Sequence, residues 1–488
     1  MQPITSRKFT YQTRFGVDES QERLLSGAAD LLSKVERALF KDLYQKKIGI
    51  NALKAAYLKQ YGITARQFNS CRIKLEGKAL AYKALLNDRI LKLEQKIRGL
   101  DKHVKRSKDP LKIHQKKRRL ALLKTKYEKL VKDKEEGKIR ICFGTKELFH
   151  KQFHLEENGF ATQAEWKAAW AESRNRQFFL VGSKDETCGN QSCQLVKEGD
   201  GFTLFVRLPN SCSKKSIKLE NLSFGYGQEE IEQALLDNEL RRQSKALKKP
   251  YSHLGTAINY LFKKDQKSWR VFVTVEKKPP PVISQNSQGV IGLDINVDRV
   301  ALAETDRFGN LIDKKNFPFT TYGKDTNQSK AVIGDVARQI AAYALFKKKP
   351  LVIESLNFEK KKQSLREENN AYARMLSSFC YRQLIASIES RAFREGIEVY
   401  EVNPAFTSII GRTKFMGRYG LSTHISAALV IGRRHNNYSE RLPCYLEILD
   451  NKNSRSAFFL PVRNRKKHVW SSYRELYRNE LKTWVWAT

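Results

Sequence analysis

The chain is short of several things, and each shortage removes a class of function. Acidic side chains are scarce: 52 Asp and Glu stand against 91 Lys and Arg, leaving a net charge of +39. Self-repulsion of that size is offset most easily by a polyanion, so nucleic acid is the expected partner. Seven cysteines are spread through the 488 residues without one Cys-x-x-Cys pair. That number and spacing fit reduced thiols and give no zinc signature, so no zinc site is expected; Cys188 and Cys193 are too far apart for a zinc knuckle. No long uncharged apolar run is present, which argues against a membrane span. Met1-Gln2-Pro3-Ile4-Thr5 has no apolar core of a secretory signal, so a cytoplasmic protein is expected. Internal repeats and low-complexity tracts are lacking too.

What is there changes character along the chain. Lys8 to Phe15 alternates aromatic and polar residues in the manner of a strand. From about Ser20 the period becomes helical, with Leu24, Ala28, Leu31, Val35, Leu39 and Leu43 in register. Leu86, Ile90, Leu93, Ile97 and Leu100 form a seam that resumes after Lys105 to Pro110 at Ile113, Leu120, Leu123, Tyr127 and Leu130. A long antiparallel hairpin with one apolar seam and a basic outer face is predicted. Strand character returns at 139–144, 177–182, 202–208 and 268–275, predicting a small barrel or sandwich that the N-terminal strand joins. Lys277-Lys278-Pro279-Pro280-Pro281 is a stiff boundary.

Beyond that boundary the pattern is most regular. Val290 to Asn296, Arg299 to Glu304 and the run from Leu311 read as a meander, with turn chemistry at Asp306-Arg307-Phe308-Gly309-Asn310. A helix from about Ser329 to Lys348 leads to a buried strand at Leu351 to Leu356. A second helix from about Arg366, a strand at Glu398 to Pro404, a glycine-containing linker and a small-residue helix from Ser422 follow. The order β-β-β-α-β-α-β-α is the RNase H-like arrangement. It sets the first strand centrally and the strand after the first helix beside it. Asp294 and Glu354, each near a strand end, would then face one another. Two facing carboxylates repel unless a cation lies between them, and hard oxygen ligands select Mg²⁺ or Mn²⁺. Two such ions roughly 3.5–4 Å apart activate a water and stabilise the leaving oxygen of a phosphodiester.

These residues resemble a known family. Gly292-Leu293-Asp294, Val352 to Asn357, Val402-Asn403-Pro404-Ala405-Phe406-Thr407-Ser408 and the Ala427-Ala428-x-x-Ile431 helix are similar to the RuvC-type nuclease of TnpB. TnpB is a transposon-encoded, RNA-guided DNA endonuclease related to type V CRISPR effectors. The resemblance is specific in order and spacing over about 288–434 and architectural before that. It implies a multidomain α+β fold: a β-barrel wedge domain (1–19 and 139–285) interrupted by a helical recognition domain (20–138), then a RuvC-like core (286–408). A linker (409–421) and the last helix with a C-terminal segment (422–488) complete it. It also implies guide RNA and double-stranded DNA as partners, cut beside a short flanking motif, with the oligomeric state left open. Two departures stand out. The linker has no cysteine where the family carries a zinc ribbon, and His424 stands where the family has its third catalytic Asp. An imidazole ligates divalent ions but brings no negative charge. The expected metal and catalytic set is therefore Asp294, Glu354 and His424, holding two ions, with Asp298 and Glu401 as further acids nearby. Lys105 and Arg106 on the hairpin, Lys360, Lys361, Lys362, Arg433 and Arg434 are expected phosphate contacts. The competing readings are a guided DNA binder that does not cut and a guide-free transposition accessory protein.

Overall fold

A computed structural model of the protein describes residues 6–355, 378–438 and 440, the backbone of 445–449 and 455–459, and Trp470 and Tyr473. The chain divides into two compact units, Ser6–Lys277 and the residues from Lys278 onward.

In the first unit, β1 (Arg7–Phe15) pairs antiparallel with β7 (Trp269–Lys277) through nine residues, from Arg7 opposite Lys277 to Phe15 opposite Trp269. The chain between them supplies the helices, a second sheet and the other two strands of this one. α1 (Glu19–Phe40) opens on a capping box in which Asp18 and Gln21 satisfy each other's backbone N–H groups. α2 (Ile50–Tyr61) ends at Gly62, whose φ of 58° lets the chain turn sharply into α3. α3 (Ala65–Arg106) has 42 residues, a rod of roughly 60 Å. It turns back through three residues into α4 (Pro110–Glu135), with Pro110 in the first turn and Asp109 accepting from Leu111 N and Lys112 N. Leu86, Leu93 and Leu120 are the buried members of the seam, while Leu91, Leu111 and Leu122 are exposed. The hairpin is therefore thinly buried over much of its length.

α5 (Lys146–Lys151) and α6 (Gln163–Asn175) follow, then β2 (Gln177–Leu180), β3 (Cys193–Glu198), β4 (Gly201–Arg207), β5 (Ser216–Leu222), α7 (Gln228–Ala246) and β6 (Asn259–Lys264). The expected barrel is not what these strands make. They form two separate sheets, β1-β7-β6-β2 and β3-β4-β5, and no closed barrel appears among the described residues. Closure needs the edge strands to pair, and β2, with four residues, pairs only with β6. Residues 139–144 are irregular rather than a strand. Gly144 lies under the Trp170 ring, where an added Cβ would come within 2.4 Å, so this segment is fixed by helix packing and not by a ladder.

The second unit is built on one mixed sheet. β8 (Ile291–Ile295), β9 (Arg299–Thr305) and β10 (Leu311–Pro318) form an antiparallel meander. After α8 (Thr326–Lys347), β11 (Leu351–Glu354) joins the other edge of β8 in parallel. α9 (Ser378–Arg394) then leads to β12 (Val399–Val402), parallel to β11. The sheet order is β10-β9-β8-β11-β12, with β8 in the middle. Residues 407–419 are a broken helical segment, and α10 (Thr423–His435) follows it. A further hairpin, β13 (Tyr445–Leu449) with β14 (Arg455–Phe459), lies beyond.

Strand period places alternate residues of β8 on opposite faces. Ile291, Leu293 and Ile295 join the cluster with Ile333, Ile340 and Tyr343 of α8 and Leu384 and Ile388 of α9. On the other face Ala301 and Ala303 of β9 meet Ala428 and Leu429 of α10, and Val290 meets Ile431. Helices thus cover both faces, as the buried, almost wholly apolar strands require.

Candidate active site

The site is assembled by the closest helix–strand approach in this unit. Gly292 of β8 lies so near α10 that an added Cβ would stand 2.0 Å from Ala428 O, and Gly432 has Val290 Cγ2 3.3 Å from where its own Cβ would be. Helix and strand therefore run past each other in opposite senses, with 428 and 432 level with 292 and 290. Moving one turn back along α10, from Ala428 to His424, covers about 6 Å. Moving two residues forward along β8, from Gly292 to Asp294 on the same face, covers about 6.6 Å. The two steps match, and the side chains meet: His424 Nδ1 is 3.0 Å from Asp294 Oδ2.

Local chemistry holds each partner. Asp294 is 8% exposed, and Asn296 Nδ2 donates to its Oδ2 at 2.8 Å. His424 sits in the first turn of α10, where Ser422 Oγ caps the helix by accepting from Ile425 N at 3.3 Å. Asp298 pairs with Arg299, and that hydrogen bond, with the nearby charges of Arg299 and His424, outweighs burial and lowers its carboxyl below the ordinary range.

Glu354 is placed by register. β11 pairs with β8 at Leu351–Ile291 and Val352–Gly292, and continuing that register by two residues sets Glu354 level with Asp294. Its carboxylate is engaged elsewhere, however: Thr407 Oγ1 donates to Glu354 Oε1 at 2.5 Å. Val402 of β12 is paired with Glu354. Beyond it Asn403 Oδ1 accepts from Ala405 N at 2.9 Å, and Phe406 adopts a φ of 61°, so the chain doubles back and brings Thr407 over the end of β11. Thr407 is itself buried, at 2% exposure.

Of the expected trio, then, the structure joins Asp294 and His424 and puts Glu354 on the adjoining strand end, bonded to a hydroxyl. Among the described residues, no three His, Cys, Asp or Glu side chains stand close enough together to hold a metal ion. The donor types suit a hard divalent cation for the two carboxylates, whereas the three-ligand set expected from the sequence is not formed in this arrangement. Glu401, the other acid considered, is exposed on β12.

The expected phosphate contacts fare differently. Arg433 is committed to protein: its Nε is 2.5 Å from Glu440 Oε1, its Nη1 donates to Gly309 O at 2.6 Å, and its guanidinium lies 5.0 Å from both the Phe415 and Tyr438 rings. Arg434 donates to Asn403 O and lies 4.6 Å over Trp470; burial pushes its pKa down, against the pull of Glu354 and Glu440. Both arginines thus act here as braces behind the site, because α10 carries them on its buried flank. Lys105 and Arg106 end α3 in the open, Lys105 beside Asp101 at 3.1 Å. Lys360, Lys361 and Lys362 lie outside the described residues.

Two residues of the site were passed over in the sequence. Asn296 follows Asp294 by two, a spacing at which one side chain reaches the other across a strand end. Thr407 closes the Asn403-Pro404-x-x-Thr407 run, and only the parallel pairing of β11 with β12 shows what its hydroxyl meets.

Comparison with known proteins adds the following. No family model matches the chain. Two uncharacterised proteins of Aeropyrum pernix are each 31% identical to it over 154 residues, which is 29% of this chain and 41% and 36% of theirs. The chain thus spans less than half the length of these curated relatives. Among solved structures it is similar to RuvC of T. thermophilus in complex with a Holliday junction (16% identity, 30% of this chain and 90% of that one, TM-score 0.23). It is also similar to a Cas12f1–sgRNA–target DNA complex (13% identity, 88% and 100% covered, TM-score 0.22). A third is the Cas12i1 R-loop complex before target DNA cleavage (10% identity, 73% and 61% covered, TM-score 0.30). Scores this low leave the functional argument to the residues of the chain itself.

Proposed function

We propose that this chain is an RNA-guided DNA endonuclease, and that it cuts at the end of the mixed sheet that carries Asp294, Glu354 and, on the helix beside it, His424. One observation carries the reading: His424 meets Asp294 at 3.0 Å beside the strand end that bears Glu354, in a chain of net charge +39. A buried carboxylate without a lysine or arginine partner is costly, and a site that accepts that cost is suited to a bound cation. Mg²⁺ or Mn²⁺, two ions in this proposal, would be held by Asp294, Glu354 and His424 and would supply an activated water and charge stabilisation at the leaving oxygen. The protein's own part is positioning. Asn296 fixes the Asp294 carboxylate, Ser422 fixes the turn that presents His424, and Thr407 fixes Glu354. The basic hairpin α3–α4 grips nucleic-acid backbone, while base pairing with a guide reads sequence and side chains read a short flanking motif.

A second reading is favoured by a specific observation. The absence of a three-ligand cluster among the described residues, with His424 in place of an acid, suits a guided DNA binder that does not cut. Cleavage of a plasmid carrying a guide-matched target, with and without Mg²⁺, separates the two. Cutting that needs the ion and is lost in Asp294→Ala and His424→Ala supports the nuclease. Matched binding without cutting at any ion concentration supports the binder. Sequencing RNA that copurifies with the chain tests guidance itself: a guide-free accessory protein carries no discrete species.

A further inference from the structure

The first unit contains a row of aromatic rings that the proposed cutting centre does not use. Trp166 and Trp170 of α6 are stacked, with centroids 5.8 Å apart and planes at 12°. Trp170 continues to Phe149 of α5 at 5.7 Å with the planes tilted by 54°, and Phe149 meets Phe153 edge to face at 6.2 Å and 82°. The inner end is rigid: Trp166 is 6% exposed, its Nε1 donates to Leu148 O at 2.8 Å, and Gly144 lies against the Trp170 ring. The outer end is open, since Phe149 is 41% and Phe153 66% exposed. Two large rings held out side by side on a braced base lose apolar burial, and contiguous exposed apolar surface is where interaction sites are sought.

The charges around the row favour one occupant. Arg174 lies 5.6 Å over the Trp170 ring, and Arg37 of α1, reaching Asn175 at 2.7 Å, has its pKa lowered by burial and by the neighbouring charge of Arg174, which outweigh the opposing pull of Asp30 and Glu36. Two guanidiniums brought together repel each other and gain from an anion. At the rim, Lys151 is paired with Glu147 and His154 stands by Glu157, so the ring faces themselves carry little net charge. Separate, exposed and neutral ring faces with arginines behind them, in a chain with 91 basic and 52 acidic residues, match unpaired nucleotides: single bases stack on single rings while phosphates meet the guanidiniums. A double helix offers no free base face.

We propose that the exposed rings of Phe149 and Phe153, seated on Trp170 and with Arg174 and Arg37 behind it, form a stacking platform for single-stranded nucleic acid.

Binding of labelled oligothymidylate to the full-length chain, in EDTA so that no cutting intervenes, tests this without reference to the nuclease centre. Tryptophan emission should be quenched on binding. Phe149→Leu/Phe153→Leu, which keeps apolar bulk but removes the π faces, should weaken the single strand by about 5- to 150-fold per stacked base lost, with duplex affinity unchanged. Both positions are exposed, so the variant folds, as its far-ultraviolet circular dichroism should show. Equal affinity of variant and parent for the single strand overturns the platform. So does self-association of the parent that the double variant abolishes while oligothymidylate binding stays the same, which would assign the rings to a second copy of the chain.

Discussion

The mixed sheet buries an acid at each end, and the two ends treat it in opposite ways. Glu304 of β9 is opposite Ile291, at the entry of β8, and Asp294 is near the exit of the same strand. Around Glu304 every requirement is met by fixed groups. Lys349 Nζ is 2.8 Å from Oε1 and also donates to Thr305 O, Lys347 Nζ is 3.0 Å from Oε2, and the Tyr343 hydroxyl lies 2.7 Å from Oε2 and 2.8 Å from Asp313. Burial pushes the Glu304 carboxyl up, but hydrogen bonds from Lys349, Tyr343 and Lys347 outweigh it and hold the group below the ordinary carboxylate range. Asp294 has an amide and an imidazole, and it makes no ion pair with lysine or arginine among the described residues. One end carries its own cations on α8 and the turn after it. At the other, the proposed function calls for a cation from outside. The contrast shows one sheet treating two buried acids differently: the Glu304 charge is neutralised by ion pairs and hydrogen bonds within the chain, whereas the Asp294 charge, which the proposed function puts to work, has no lysine or arginine partner among the described residues.

That contrast can be broken at either end. The largest effect on stability is expected from Glu304→Ala, which strands Lys349 in the interior; a loss of about 3–5 kcal/mol is expected by urea denaturation. Replacing both partners, Glu304→Leu with Lys349→Met, should recover most of it, because no buried charge then remains. The pH dependence has a defined sign. A carboxyl lowered in the folded state contributes stability that is present above its unfolded pKa of about 4.3 and is lost as pH falls through the lower folded value. Glu304→Gln should therefore flatten the acid limb of the stability curve.

At the other end, Asp294→Ala should leave stability nearly unchanged and lower cleavage of matched DNA by more than about 100-fold, the upper range for losing only an outer partner of a metal ligand. A large stability loss in this variant would make Asp294 a structural acid like Glu304 and erase the distinction. Gly292→Ala comes next. A methyl 2.0 Å from Ala428 O forces α10 off the strand, at a cost of about 1–3 kcal/mol. Cutting should fall by more than the stability change explains, because His424 is carried away from Asp294. The smallest effect belongs to Thr407. Thr407→Val should reduce cutting about 10-fold by removing the hydroxyl that orients Glu354, and Thr407→Ser, which keeps the hydroxyl, should restore it.

Strand period and buried apolar runs were enough to read the meander, and the order of elements, matched to the RNase H-like arrangement, was enough to place β8 centrally with β11 beside it. The hairpin α3–α4 was legible for the same kind of reason, a seam repeating every three or four residues. The barrel was not. Alternation in a strand states which face is buried but not which edge meets which, so two sheets and one closed sheet look alike in sequence. Segment 139–144 failed similarly: its apolar residues are held by Trp170 and α1, and a short apolar run does not say whether its partner is a strand or a helix.

The site divides along the same line. Residue identities alone set the two acids at strand ends, the histidine in the first turn of a small-residue helix and the excess of positive charge. Only the folded chain decided that His424 touches Asp294, that Thr407 takes hold of Glu354, and that Arg433 and Arg434 serve protein partners. The physical reason is range. Periodicity and charge are summed over neighbours in sequence, whereas a hydrogen bond spanning 130 positions depends on how closely one glycine lets a helix approach a strand.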